Sequence, residues 1–559
     1  MKTFVKHPVG KQAFRLGMIL LLLAMVAVPV QAQGSQPPTY TGDERATLEQ
    51  YARDTWQSFV AMTYPNGLPA DNIAEDGTRA QYTSPTNIAS YIWSTLAARD
   101  LQIITPEEAR QRIGQTLATV ETLERHWPSG QFYNWYDPQT GEKLTIWPPS
   151  GSIVYPFLST VDNGWLAAAL IMVTNTVPQL RDQARAILSG MDFGFYYDPN
   201  AGLLRGGYWP TPPPGCNVDG YTCHHYGTLN TEPRIASYIG IAMGQVPPEH
   251  YFKMWRTFPD NCDWSWPEME PHGVTRTYLG VDVYEGHYTY MGMDIVPSWG
   301  GSMFEALMVP LFVPEAQWGP QSWGINHPLY VQAQIIHGMD EAQYGYWGFS
   351  PATNPSGGYR EYGVDAIGMN TDGYASNNDN TYMDYGFDDC PGRTETSIPP
   401  ASAYTNGVVT PHASFLALQF APQESLANLA NLKQDFDIYG PWGFWDSVNV
   451  DTGEVSRYAL ALDNGMIMAA LGDALRNGRM QAYFSHGEIE QAIRPLLEME
   501  EFTAGGTPTP MTMENQQTQG INGSGGDGMQ EVSPSRIPSE LEPFIIEPWY
   551  REELVPKRF

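Results

Sequence analysis

Apolar residues in this chain fall into two alternating kinds of run. The first kind opens on a polar residue beside Pro or Gly. It continues as a helix-length stretch, apolar on nearly every side and rich in Ala, Ser and Gly. Six segments share this plan, at 84–98, 161–173, 230–244, 298–312, 410–420 and 462–475. A helix that is apolar all round is a buried helix, and small side chains let such helices approach closely. The second kind is amphipathic and charged, at 45–62, 105–126, 178–191, 247–255, 326–339 and 422–434. In 105–126, Thr105 and Glu108 fit a capping box and Pro106 the first helical position. Ile113, Leu117, Val120 and Leu123 keep the helical period. One more amphipathic segment, 487–500, closes the series.

The order is outer, inner, repeated six times. It predicts an all-α fold, an (α/α)6 toroid of six inner and six outer helices with long functional loops. The polar starts of the inner helices then surround one mouth. Helix N-termini carry unpaired N–H groups and partial positive charge, so side chains there can converge on a pocket. The connections 127–160, 192–229, 256–297 and 340–409 are rich in Gly, Pro, Asn, Asp and aromatics. Ordered loops of that length are usually functional.

The flanks differ in kind. Residues 1–32 form an export signal, with Lys2, Lys6, Lys11 and Arg15 ahead of the apolar run from Leu16 to Val30. That run is short for a membrane span. Cleavage after Ala32 is expected, giving an exported chain (secreted, periplasmic or cell-surface) with no stable membrane span. Residues 33–500 are assigned to one toroid domain. From 501 to 559 a disordered linker and tail is expected, because 503–539 shifts to Gly, Thr, Pro, Gln and Ser.

Charge and composition narrow the partners. Thirty Lys and Arg face 61 Asp and Glu, a formal net charge of −31. Such a chain repels nucleic acid and anionic membrane. Seventeen Trp and 32 Tyr supply flat faces that stack on sugar rings, the competing reading being a large aromatic core. The partner expected is an oligosaccharide or polysaccharide. An even four cysteines in an exported chain point to disulfides, Cys216 with Cys223 as the local pair and Cys262 with Cys390 as a longer staple. Cys223-His224-His225 matches no standard zinc spacing, and no metal is assigned. The Asp- and Asn-dense loop 372–389 offers oxygen ligands for calcium without EF-hand spacing. A solvated acidic loop is the alternative, and no other cofactor is expected.

Several acids stand at helix starts. Glu232 precedes Pro233, which pushes it out of helical geometry. Asp162 and Asp463 hold equivalent places in VDNGWLAAAL and LDNGMIMAAL, where helix capping is the competing role. Asp446 lies in the Trp-rich loop YGPWGFWDSVN, and Glu305 sits one turn into its helix. Tyr359 and Arg360 in GGYREYG, and Trp135 and Asp137 in FYNWYD, add polar and aromatic loop groups. Two carboxyl groups across one bond are what glycoside cleavage requires. No G-x-S-x-G, Walker or Rossmann glycine pattern is present.

YTSPTNIASYIWSTLAARDL, FYNWYD, VDNGWLAAAL, TEPRIASYIGIAMGQVP, SWGGSMFEALMVPLF, YREYGV, GVVTPHASFLALQFAPQESLANL and ALDNGMIMAAL, taken in order, resemble the glycoamylase-like family. That family includes bacterial endo-β-1,2-glucanases and the cyclisation domain of cyclic β-1,2-glucan synthases. The resemblance runs from about residue 45 to 485. It implies an (α/α)6 fold and glycoside hydrolase or transglycosylase activity on a β-glucan, β-1,2-glucan first. The family's motif glutamate falls on Glu232, the general acid. Asp446 or Asp463 would activate water. Asp162, Glu305, Tyr359, Arg360 and Asp137 would hold sugar, with Trp135, Trp165, Trp299 and Trp442 as stacking platforms. Two departures stand out: Pro233 replaces the family's Ala, and WGFSPATNPSGGY lacks the acid that relatives carry there. The alternatives are a non-catalytic glycan-binding protein and a polysaccharide lyase on the same toroid.

Overall fold

The structure is a computed structural model that describes residues 38–215, 217–258, 269–369, 401–404 and 406–508. The helices in chain order are α1 (Gly42–Met62), α2 (Pro85–Asp100), α3 (Pro106–Val120), α4 (Thr160–Thr176), α5 (Arg181–Leu188), α6 (Arg234–Ala242), α7 (Glu249–Lys253) and α8 (Met303–Leu307). They continue as α9 (Glu315–Trp318), α10 (Trp323–Ile336), α11 (Pro411–Leu416), α12 (Pro422–Asp435), α13 (Ala461–Arg476), α14 (Arg479–Phe484) and α15 (Glu488–Met499).

The all-round apolar segments become α2, α4, α6, α8, α11 and α13, and they pack side by side as a ring. α2 lies on α4, α4 on α6, α8 on α11 and α11 on α13. α6 and α8 are joined by Arg234, which donates to the carbonyls of Glu305 and Ala306. α13 returns to pack on α2 and closes the ring. Its axis is filled, not open: the rings of Trp93, Trp165 and Phe312 meet at 4.9 to 5.9 Å. The amphipathic helices wrap this ring, α1 on α13 and α2, α3 on α2, α5 on α4, α10 on α8, and α12 on α11.

The D-N-G phrase shared by α4 and α13 has three separate jobs. Its Asp is the third helical residue in both helices, so neither Asp162 nor Asp463 is the cap. Ser159 caps α4, and Leu460 precedes α13 without a side-chain cap. Its Asn anchors the helix outward: Asn163 exchanges hydrogen bonds with the Phe132 backbone, and Asn464 donates to Ser58 of α1. Its Gly permits contact with the next inner helix. A Cβ at Gly164 would come within 2.9 Å of the Ala236 Cβ, and one at Gly465 within 2.7 Å of the Ser90 Cβ.

Two features differ from the sequence pattern. The fold is not purely helical, because the long connections hold small sheets. In the largest, His272–Tyr278 pairs with Val281–Tyr290, which pairs with Met293–Ile295. Alternating β-branched and aromatic residues suit these strands. The two-residue turns Leu279-Gly280 and Met291-Gly292 have φ of 50°, 79°, 49° and 78°, the positive pair that a tight hairpin of type I′ requires. The second difference concerns 247–255. Only Glu249–Lys253 is helical, because the backbone of Trp255 pairs with Gly227 and Leu229 instead. α7 packs on the hairpin, and α15 covers α6 in its place.

The described part of the expected linker is ordered. Phe502 and Ala504 are buried, and Gly505–Gly506 pairs with Met293 and Asp294. The export signal, the calcium-candidate loop 372–389, Cys216, Cys262, Cys390 and the tail from Thr509 lie outside the described residues. Among the described residues, no helix is long and apolar enough to cross a membrane.

Candidate active site

Each inner helix opens with a polar group, and these groups are linked from one helix to the next around the mouth. At the start of α2, the Thr86 hydroxyl donates to Asp162 of α4 at 2.5 Å. The Asn134 side-chain amide lies 2.8 Å from Asp162 Oδ2, and it donates there once its oxygen and nitrogen are exchanged to suit their neighbours. Within α4, the Trp165 indole N–H donates to Glu232 Oε2 at 2.7 Å. Glu232 lies just before α6, whose first turn has no side-chain cap. Its backbone N–H donates to Glu305 Oε2 at 3.0 Å, and the Thr231 hydroxyl donates to the same oxygen. Glu305, the third residue of α8, therefore grips the segment that carries Glu232. Phe304 N–H reaches Ser350 Oγ at 3.0 Å, and Ser350 lies 2.9 Å from His412 Nε2 at the start of α11.

The last link is a buried cluster. His412, Asp446 and Asp463 place one polar atom each within 4.8 Å of one another. His412 Nδ1 is 3.4 Å from Asp463 Oδ2 and 2.7 Å from Thr410 Oγ1. Asp446 Oδ2 accepts both donors of Thr353, N–H at 2.6 Å and Oγ1 at 2.5 Å. The Asp463 carboxyl shares the same buried cluster, with an oxygen within 4.8 Å. Burial, then the charge and hydrogen bond of Asp463, push Asp446 well above the ordinary carboxyl range, against the pull of Thr353. Two carboxyls buried this close cannot both ionise cheaply, so the charge of Asp463 keeps Asp446 protonated to higher pH. Burial also pushes His412 down to about 4, against the pull of Asp446, so near neutral pH this imidazole is uncharged. The trio has the atoms for a cation, yet both imidazole nitrogens and Asp446 Oδ2 already have hydrogen-bond partners. That arrangement suits a shared proton better than a metal.

The remaining sequence candidates divide. Tyr359 and Arg360 form a strand paired with Ala352 and Thr353, placing them next to the residue that holds Asp446. Trp135 is half-buried and meets Tyr82 and Trp147 edge-on. Trp299 is 9% exposed, on a short strand paired with Gly368–Met369. Trp442 sits at the tip of the hairpin Tyr439–Phe444, which packs on α1. Asp137 accepts from the backbone of Gln139 and Thr140 and so closes its own turn. Trp165 is a correction. It is fully buried in the axial plug and has no face to offer a sugar, because a helix apolar all round turns its large side chains inward. Its role is to hold Glu232.

Sequence reasoning passed over His412, Thr353, Thr231 and Arg234. His412 was within reach, since TPHAS opens an inner helix as the D-N-G segments do. Thr353 had no local signal, because it meets Asp446 across 93 residues. A cavity of about 390 Å³ lies elsewhere, at the far ends of α11 and α13, lined by Phe415, Leu418, Ala470, Asp473 and Trp318. Ten residues of helix, about 15 Å, separate Asp463 from Asp473, so this cavity is not the mouth.

The sequence profile of the Glycoamylase family matches residues 271–488, and that of a family described as Protein of unknown function (DUF3131) matches residues 50–194. The cyclic beta-(1,2)-glucan synthase NdvB of Rhizobium meliloti (strain 1021) is 24% identical over 81% of this chain. The chain spans 18% of that protein's length. The endo-beta-1,2-glucanase of Chitinophaga pinensis, solved with sophorotriose and glucose, superposes with a TM-score of 0.56 at 15% identity, covering 82% of this chain and 98% of that one. The endo-beta-1,2-glucanase of Talaromyces funiculosus, solved with sophorose, gives 0.53 at 15% identity over 85% and 94%. The likeness to solved structures establishes a helical toroid of this kind. Residues 271–488 are thus similar to the Glycoamylase family, in line with the motifs read there.

Proposed function

We propose that this chain is an exported glycoside hydrolase on an (α/α)6 toroid that cleaves a β-glucan, with β-1,2-linked glucan as its substrate. One observation carries the reading. Glu232 on its hydrogen-bonded seat and the buried pair Asp446–Asp463 are joined by contacts that run along the starts of α6, α8, α11 and α13. These are the two functions that glycoside cleavage needs. The relatives named as β-1,2-glucanases and as a β-1,2-glucan synthase supply the linkage.

Glu232 protonates the leaving glycosidic oxygen. Its Oε2 accepts the Trp165 indole N–H, which orients the carboxyl. The Asp446–Asp463 pair, carrying one negative charge between them, takes a proton from the attacking water. Thr353 fixes the orientation of Asp446. Asp162, Glu305, Tyr359 and Arg360 line the approach and hold sugar hydroxyls.

The test is release of reducing ends from linear β-1,2-, β-1,3- and β-1,4-glucans by wild type and by Glu232→Gln. Release from β-1,2-glucan by wild type alone is expected. Full rate in the variant, or no release from any glucan, overturns the assignment. A second reading has one observation behind it: WGFSPATNPSGGY lacks the acid that the family resemblance implies. A non-catalytic glycan-binding protein would then show oligosaccharide binding by calorimetry without turnover.

A further inference from the structure

Two residues after Glu232, Arg234 lies fully buried at the head of α6. A guanidinium has five N–H donors, and here five acceptors meet it. Nε and Nη2 hold the two oxygens of Glu315 at 2.8 and 3.0 Å. Nη1 reaches the Thr231 carbonyl at 2.8 Å and the Glu305 carbonyl at 3.1 Å, and Nη2 reaches the Ala306 carbonyl at 2.8 Å. Glu315 is braced in turn by Tyr238 OH at 2.7 Å and His327 Nε2 at 3.0 Å. Burial would raise its pKa, but Arg234 and His327 outweigh that and hold it at about 2.

The three carbonyls belong to the two segments that form the seat of Glu232. Thr231 precedes it, and the Glu305 side chain grips both the Thr231 hydroxyl and the Glu232 N–H. We propose that Arg234, locked by Glu315, is a positioning residue that sets the place of the Glu232 carboxyl by clamping these two segments together. The proposal rests on Glu232 being the acid. Arg234 touches no sugar; it acts through Thr231 and Glu305. Lysine would keep the charge but lose the planar fork that spans three carbonyls and a carboxylate.

The experiment is a double-mutant cycle on β-1,2-glucan, with Arg234→Lys, Glu232→Gln and the pair. Tyr238→Phe, which removes only one brace on Glu315, is the milder variant should Arg234→Lys fold poorly. Arg234→Lys is expected to lower kcat by about tenfold to a hundredfold, the cost of a misplaced catalytic group, with KM within about twofold. The basic limb of its pH–rate profile moves, because the acid's surroundings have changed. In the Glu232→Gln background, Arg234→Lys should add nothing, since the two act as one unit. Arg256→Lys is the structural control. Arg256 is equally buried against Glu285 and Glu500, so its loss should lower Tm and leave the kcat of folded protein unchanged. The proposal fails if Arg234→Lys leaves kcat and the basic limb unchanged, or if its effect multiplies with that of Glu232→Gln. Absence of wild-type turnover would sink the hydrolase reading itself, which is a different outcome.

Discussion

The two sides of the mouth hold their carboxyl groups by opposite means. On the Glu232 side, a buried Arg–Glu ion pair stitches the backbone, and an indole N–H seats the carboxyl. On the Asp446–Asp463 side the groups in contact are hydroxyls, one backbone N–H and an uncharged imidazole. These contacts are uncharged, and burial together with the Asp463 charge holds the proton on Asp446. Position is enforced on one side, and charge is rationed on the other. On the proposed reading, what the structure fixes most visibly is geometry on the acid's side and pKa on the base's side, although acid and base each need both.

The sharpest break in the comparison is to remove each side in turn. Glu232→Gln and Asp446→Asn should each lower kcat on β-1,2-glucan by roughly 10²- to 10⁴-fold, the usual worth of a general acid or base. Initial-rate assays with confirmed folding decide it, and a near-wild-type rate in either variant removes that side from the chemistry. Next comes Asp463→Asn. Without the neighbouring charge, Asp446 ionises at lower pH, so the acid limb of kcat/KM should move down. An unmoved limb means that the two carboxyls do not share a proton.

The same pair should be visible in stability. The unfolded chain releases an Asp proton near pH 4, while the folded pair retains one. Stability from this pair is therefore present at low pH and lost as pH rises toward the raised value. His412 acts in the other sense: with its folded value near 4, it removes stability as pH falls from about 6.5. Thermal melts of Asp463→Asn against wild type should show less loss between pH 4 and neutrality. The smallest effect expected is that of Trp165→Phe. It keeps the plug and deletes one hydrogen bond to Glu232, worth about 1 kcal/mol, or about fivefold in kcat. An unchanged rate would mean that this bond does not seat the acid.

Much of the ring was legible because composition alone separates a helix buried on all sides from one with a wet face. TPHASFLALQF and SPTNIASYIWSTLAA could not be outer helices. The mouth followed, since the same segments open with polar residues. What stayed hidden depends on long-range contact. Nothing near α6 says that α15, more than two hundred residues later, will cover it. Nothing near Asp446 says that Thr353 will hold it. The hairpin around Leu279-Gly280 was locally visible in VTRTYLGVDVY, but the helical frame led its region to be read as loop. Trp165 was misjudged for the converse reason: a sugar platform needs an exposed face, and its own segment already ruled one out.

The closure of the ring by α13 on α2 also governs how the chain can be made. A polypeptide emerging from its N-terminus displays α2 long before its second neighbour exists. Until residues beyond Ala461 arrive, one flank of α2 and one of α11 stay uncovered, and α6 waits longer still for α15. Contacts between distant parts of a chain form late and slowly, and bare apolar edges invite aggregation in the meantime. Asp463 arrives within that same late stretch, and Asp446 shortly before it. A chain stalled before α13 thus keeps bare edges and lacks Asp463.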